Sequence, residues 1–145
     1  MSLTFTAKLT LDRLSVESLQ EWIGEEFQAE EGEVLATNIL YAASRDGFSN
    51  EIFHANCDGF GPTVTFVKVG NGSTFGGYAS VPWYSEGGPC ADPKAFLFSL
   101  SDGAARGPCR LDQFQYPQHS VHHSRQRGPL FGFGGGADLG LDLDP

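Results

Sequence analysis

"PTVTFVKVGNGSTFGGYAS", residues 62–80, decides the fold class. Its first half, PTVTFVKV, is rich in β-branched and aromatic residues and apolar on both alternating faces, the pattern of a central strand. Asn71-Gly72 follows, the strongest short hairpin signal a sequence carries. STFGGYAS is then the return strand, and its Gly76-Gly77 pair marks a bulge or a close backbone approach.

Further strands extend outward from this hairpin. KAFLFSL (94–100) reads as a buried strand, and TNILYAAS (37–44) as a strand entering the domain. VPWYSEGGPCADP (81–93) reads as a loop, SDGAARGPCR (101–110) as a turn-rich crossing and HSVHHSRQRGP (119–129) as a polar loop. LFGFGGGADLGLDLDP (130–145) is glycine-rich and then alternates Leu with Asp.

Two helices are expected. LSVESLQEWIG (14–24) places Val16, Leu19, Trp22 and Ile23 at helical spacing, with Ser15 as the expected N-cap and Gly24 as the stop. NEIFHANC (50–57) follows Ser49 as cap, has Glu51 in its first turn, and ends near Gly59. EEFQAEEGE (25–33) holds five acids in nine residues and reads as a solvated linker. The chain therefore divides into an N-terminal helix and acidic linker, 1–34, and a main domain, 35–145. The expected class is α+β: a sheet-dominated, two-sheet β-sandwich with short flanking helices.

At 145 residues, a domain of this size buries about 70% of the surface its unfolded chain exposes. Twelve phenylalanines call for a packed interior, and nineteen glycines for tight turns. A formal net charge of −9 argues against nucleic acid and against an anionic membrane surface, and suits a basic patch on a protein partner. Cys57, Cys90 and Cys109 are odd in number and widely spaced, which favours free thiols in a reducing, cytoplasmic setting. No apolar run has the roughly 20 residues that span a bilayer.

Three groups of residues carry reactive-looking chemistry. In SRDGFS (44–49), Arg45 and Asp46 could bind an anion and position a base. The turn reading accounts for more of these residues: Ser44 and Asp46 cap a turn, Gly47 supplies a left-handed conformation, Ser49 starts the helix, and Arg45 reaches a carboxylate or carbonyl across the domain. His54 and Cys57 lie three apart on one helix, close enough for a nucleophilic pair, yet no third group orients the histidine. A packed thiol beside a hydrogen-bonded histidine is the simpler reading. His119, His122 and His123 could ligate zinc, but a fourth ligand is unspecified, so no metal or other cofactor is assigned.

Taken in order, these motifs resemble the opening of a TLDc domain, the module shared by oxidation-resistance proteins. The resemblance rests on Tyr41, on Ser44-Arg45-Asp46-Gly47 with Ser49, on Phe53, His54 and Cys57, and on Gly61-Pro62-Thr63. It continues through Phe75-Gly76-Gly77, Trp83, Phe96 and Phe98, then Gly128-Pro129, Phe131-Gly132 and Asp138-Leu139. Ala42 departs from the arginine of many relatives. Members normally run on into further strands, so the resemblance implies that C-terminal strands are missing after Pro145 and that a sheet edge is left unpaired. It implies a non-enzymatic protein-interaction module in oxidative-stress protection, with subunits of the vacuolar-type proton ATPase as partner. The location implied is cytoplasmic, with recruitment to acidic organelles and mitochondrial or nuclear pools left open. The alternative is an antioxidant enzyme or thiol scavenger using Cys57, Cys90 or Cys109.

Overall fold

The computed structural model describes residues 2–4, 10–24, 27, 29–30, 33–34, 39–70, 72–101, 106–113, 117–132 and 138–144. In chain order the elements are β1 (Ser2–Thr4), α1 (Arg13–Ile23), β2 (Ala29–Glu30), β3 (Glu33–Val34), α2 (Ala43–Asp46) and α3 (Asn50–Cys57). Then come β4 (Thr63–Lys68), β5 (Thr74–Ala79), β6 (Gly88–Cys90), β7 (Phe96–Ser101), β8 (Cys109–Asp112), β9 (Val121–His123), β10 (Leu130–Phe131) and β11 (Leu139–Gly140). The result is an α+β fold with two main sheets. One has the order β1-β4-β5-β7-β8, with β1 parallel to β4 and the rest antiparallel; the other is β6-β9-β10-β11.

The β4–β5 hairpin lies at the centre, as its sequence requires. Its turn closes through Gly72 N–H to Val69 O and Val69 N–H to Ser73 O, with Gly72 at φ +89. Both faces of the hairpin are used. Val64, Phe66, Tyr78, Phe96 and Phe98 form one core with Leu19 of α1 and with Phe27. On the opposite face, Ala79 joins Trp83, Val121, Phe131 and α3's Phe53 in a second core. The glycine pair is explained by close approach on the two faces. A Cβ on Gly77 would stand 2.7 Å from the Phe131 ring, and one on Gly76 only 1.7 Å from the Thr65 carbonyl oxygen.

Helix α1 packs Leu19, fully buried, and sets Trp22 edge-on to Phe96 at 6.0 Å. Its N-cap is Asp12, not the expected Ser15: the Asp12 carboxylate accepts the Ser15 N–H at 2.8 Å. An anion placed at the positive end of the helix outcompetes a hydroxyl one turn further in. Gly24 ends the helix at φ +106, as expected.

Five expectations about linker, loop or strand are corrected. In EEFQAEEGE, Phe27 is buried against Phe66 and Ala29–Glu30 pairs with Glu33–Val34, so the stretch is anchored rather than a free linker. TNILYAAS is not a strand over its described residues. Ile39 and Ala42 enter the first core and Tyr41 and Ala43 the second, so the apolar pattern marks a crossing between cores, and α2 begins at Ala43. VPWYSEGGPCADP contains β6 and HSVHHSRQRGP contains β9, which pair with each other. The crossing SDGAARGPCR ends inside β8, whose pairing to β7 runs from Cys109 to Asp112.

Candidate functional site

Polar side chains converge where α3 meets the second sheet. Ser49 caps α3 by accepting the Ile52 N–H at 3.3 Å. Phe53, His54 and Cys57 then face inward, and His54 is only 6% exposed. Its Nδ1 lies 2.6 Å from Asp58 Oδ1, while Nε2 donates to the carbonyl oxygens of Ser124 (2.8 Å) and Arg127 (2.7 Å). Ser85 Oγ donates to the other oxygen of Asp58 at 2.5 Å.

Serine, histidine and aspartate are all present, but in the wrong order for nucleophilic catalysis. Ser85 meets the carboxylate and not the imidazole, and both ring nitrogens of His54 are already occupied by oxygen acceptors. With Nε2 facing two carbonyl oxygens and Nδ1 facing a carboxylate, the imidazole presents neither nitrogen to a hydroxyl. The cluster joins α3 to the 124–127 turn and to the segment before β6.

Cys57 does not form a pair with His54. Its thiol is fully buried, and desolvation, reinforced by the charges of Asp58 and Asp46, pushes its pKa up to about 12. At neutral pH it is a thiol and therefore a poor nucleophile. Cys90 is half-exposed and Cys109 exposed.

The histidines of HSVHH part company because successive strand residues face opposite sides. His123 is buried, packs edge-on to Trp83 and Tyr84, and accepts the Tyr84 N–H at its Nδ1, 3.2 Å away. Burial depresses its pKa. His119 and His122 lie with ring centroids 5.8 Å apart on the other side. Among the described residues no group of three His, Cys, Asp or Glu side chains could hold a metal ion.

Arg45 reaches its neighbour rather than across the domain. Its Nε and Nη2 bind the two oxygens of Asp46 at 2.8 and 2.9 Å, and Asp46 also accepts the Ala42 N–H at 2.9 Å. The Arg45 guanidinium holds the Asp46 carboxyl below the usual carboxylate range. Tyr41 donates its hydroxyl to Gly47 O at 2.6 Å, and Gly47 has φ +100, so SRDGFS is a helical turn closed from within. Ser44 is exposed.

Two buried polar residues were not singled out from the sequence. Asn50 Nδ2 donates to Gln126 O and to Asp142 Oδ1, its Oδ1 accepts the Leu143 N–H, and its own N–H donates to Asp144 Oδ1, each at 2.9 Å. The Leu-Asp alternation near the C-terminus is thereby explained: Leu143 is buried, and the intervening acids meet the N-terminus of α3. Asp92, fully buried, accepts the N–H groups of Ser80, Val81 and Lys94 and the Ser80 hydroxyl. Asp92 precedes a proline, a turn signal that could have flagged it.

The remaining motif residues are also placed by packing. Thr63 Oγ1 accepts the Trp83 indole N–H at 2.9 Å. Gly61 lies against the backbone of Val81 and Pro82, where a Cβ would come within 2.9 Å, and its bond to Pro62 is cis. Gly128 donates to Leu141 O, Gly132 to Ser120 O and Asp138 to Phe131 O; Pro129 is buried and Leu139 half-buried.

Compared with known families, the chain matches the TLDc domain model over residues 8–144. The chain belongs to the TLDc family. No curated protein matches it. The matched range includes α1 as well as every described strand except β1, and the packing of Leu19 beneath the hairpin gives a physical reason for that extent. TLDc membership is consistent with proteins of the oxidation-resistance type and with a protein-interaction module. Among the described residues, no helix is long and apolar enough to cross a membrane.

Proposed function

We propose that this chain is a non-enzymatic interaction module of the TLDc type that acts in oxidative-stress protection by docking on a subunit of the vacuolar-type proton ATPase. The observation that carries this reading is the TLDc match over residues 8–144. Geometry supports it, because His54, Asp58, Arg45 and Asp46 are spent on internal hydrogen bonds and Cys57 is occluded. A chain of net charge −9 would meet a basic surface, and its three free cysteines suit a reducing, cytoplasmic location. Affinity purification of the intact chain is expected to recover proton-pump subunits. Recovery of none, under conditions where a longer TLDc protein brings them down, rejects the reading.

The exposure of Cys109 favours a second reading, a thiol-based scavenger. Peroxide consumption by the native chain that disappears in a Cys90→Ser/Cys109→Ser variant would support it. Consumption unchanged in that variant, or absent throughout, removes it.

A further inference from the structure

We propose that β8 is a self-pairing edge, and that two copies of this chain associate through it to join their five-stranded sheets. β8 ends its sheet: β7 lies on its inner side and no described strand on its outer side. All four of its residues are exposed. Natural sheets blunt such an edge by keeping it short and charged, or with proline, bulges or a covering segment. Here the strand reads Cys-Arg-Leu-Asp, with Leu111 53% exposed between two opposite charges.

That order is its own electrostatic complement. In an antiparallel two-fold pairing with Leu111 opposite its copy, Arg110 faces the second copy's Asp112, and Asp112 faces the second copy's Arg110. Moving the two-fold axis onto Arg110 or Asp112 sets like charges directly opposite, so the charges select a register as well as a partner. The edge is also pre-ordered. Arg110 Nε lies 2.6 Å from Asp112 Oδ1, and its guanidinium stands 4.2 Å above the Phe96 ring, so little side-chain freedom is left to lose on pairing.

A third observation concerns the other face of β8. Leu111 borders an apolar groove of about 510 Å³ shared with Phe75, Leu97 and Leu139. Pairing at the Leu111 register brings the two grooves side by side and sets the two Leu111 side chains against each other at the junction. The occupant that fits this edge is therefore a second copy of the chain.

Sedimentation equilibrium of the full chain tests this at about 150 mM salt, where the net charge is screened but closely opposed pairs are not. A monomer–dimer equilibrium is expected. Arg110→Asp alone and Asp112→Arg alone each place like charges opposite and should weaken the dimer roughly tenfold or more. An equimolar mixture of these two variants should recover it, since every opposed pair is again of opposite sign. A wild-type chain that stays monomeric, a dimer indifferent to either substitution, or a mixture of folded variants that does not recover overturns the proposal. Cross-linking gives a second readout that leaves the charges intact. Cys109→Ser/Leu111→Cys should form a disulfide-linked dimer with oxidised glutathione, whereas Cys109→Ser alone should not. Failure of the first variant to cross-link while folded also overturns it.

Discussion

Replacing Asn50 with alanine removes the side chain that ties α3 to the C-terminal segment. Three hydrogen bonds disappear: those donated to Gln126 O and Asp142 Oδ1, and the one accepted from Leu143 N–H, each 2.9 Å long. A neutral bond contributes about 1 kcal/mol net and one to a carboxylate about 2 kcal/mol, while a buried amide left unpaired costs about 1–3 kcal/mol. The Leu143 amide is such a group, because its bond to Asn50 is buried. Gln126 and Asp142 are exposed and recover water, which cancels part of the loss. The expected destabilisation is about 3 kcal/mol, or a fall in Tm of roughly 10 °C for a domain of this size. Urea unfolding followed by far-ultraviolet circular dichroism measures it, with an unchanged m-value showing that the transition itself is the same. Asn50→Asp keeps the acceptor for Leu143 but sets a second carboxylate against Asp142 and the Gln126 carbonyl, and should cost at least as much. A loss below about 1 kcal/mol for Asn50→Ala would refute the claim that this junction holds the C-terminal segment.

Further outcomes follow from the same geometry. Thiol labelling of the native chain, read by peptide mass spectrometry, should modify Cys109 quickly and Cys57 only at the rate of unfolding, since the Cys57 thiol is buried with its pKa pushed up to about 12. Asp46 and Asp142 have carboxyl pKa values lowered chiefly by Arg45 and Asn50 respectively, so their stabilisation is complete above the ordinary carboxylate pKa of about 3.9 and is lost as pH falls through the lowered values. Urea midpoints should therefore decline on the acid side, and Arg45→Met should make that decline shallower. Gly77→Ala drives a Cβ to within 2.7 Å of the Phe131 ring and should cost about 1–3 kcal/mol. Phe131→Leu should relieve part of that cost, giving a favourable coupling in a double-mutant cycle.

What the sequence shows of this fold depends on how local each decision is. The β4–β5 hairpin was legible because Asn71-Gly72, the β-branched run and the glycine pair all act within a few residues. Helix α3 was legible for the same reason, with Ser49 at one end and Gly59, at φ +81, at the other. The strands of the second sheet were not. They are two or three residues long, sit among Pro, Gly and His, and exist because distant segments pair, as His122 does with Pro89. The apolar run in TNILYAAS misled because burial in two separate cores gives the same unbroken run of apolar residues as a buried strand. The reactive appearance of His54 was legible, but its carbonyl partners at Ser124 and Arg127 lie 70 and 73 residues away and leave no local trace. Asn50 and Asp92 resemble ordinary turn residues in one dimension, and only their distant partners distinguish them.

The central hairpin has two apolar faces, and the segments that cover them lie far apart in the chain. Leu19 shields one side and Phe131 the other, with the hairpin's own residues between them. During synthesis the first cover is already outside the ribosome when β4 and β5 appear, whereas the second is still to be made. For that interval, the face bearing Ala79 and Gly77 has no lid. The nascent chain must pass through a stage in which a finished strand pair is greasy on one side, the condition under which chains meet chaperones or each other. Order of emergence, as much as equilibrium stability, then sets how much of the protein reaches its folded form.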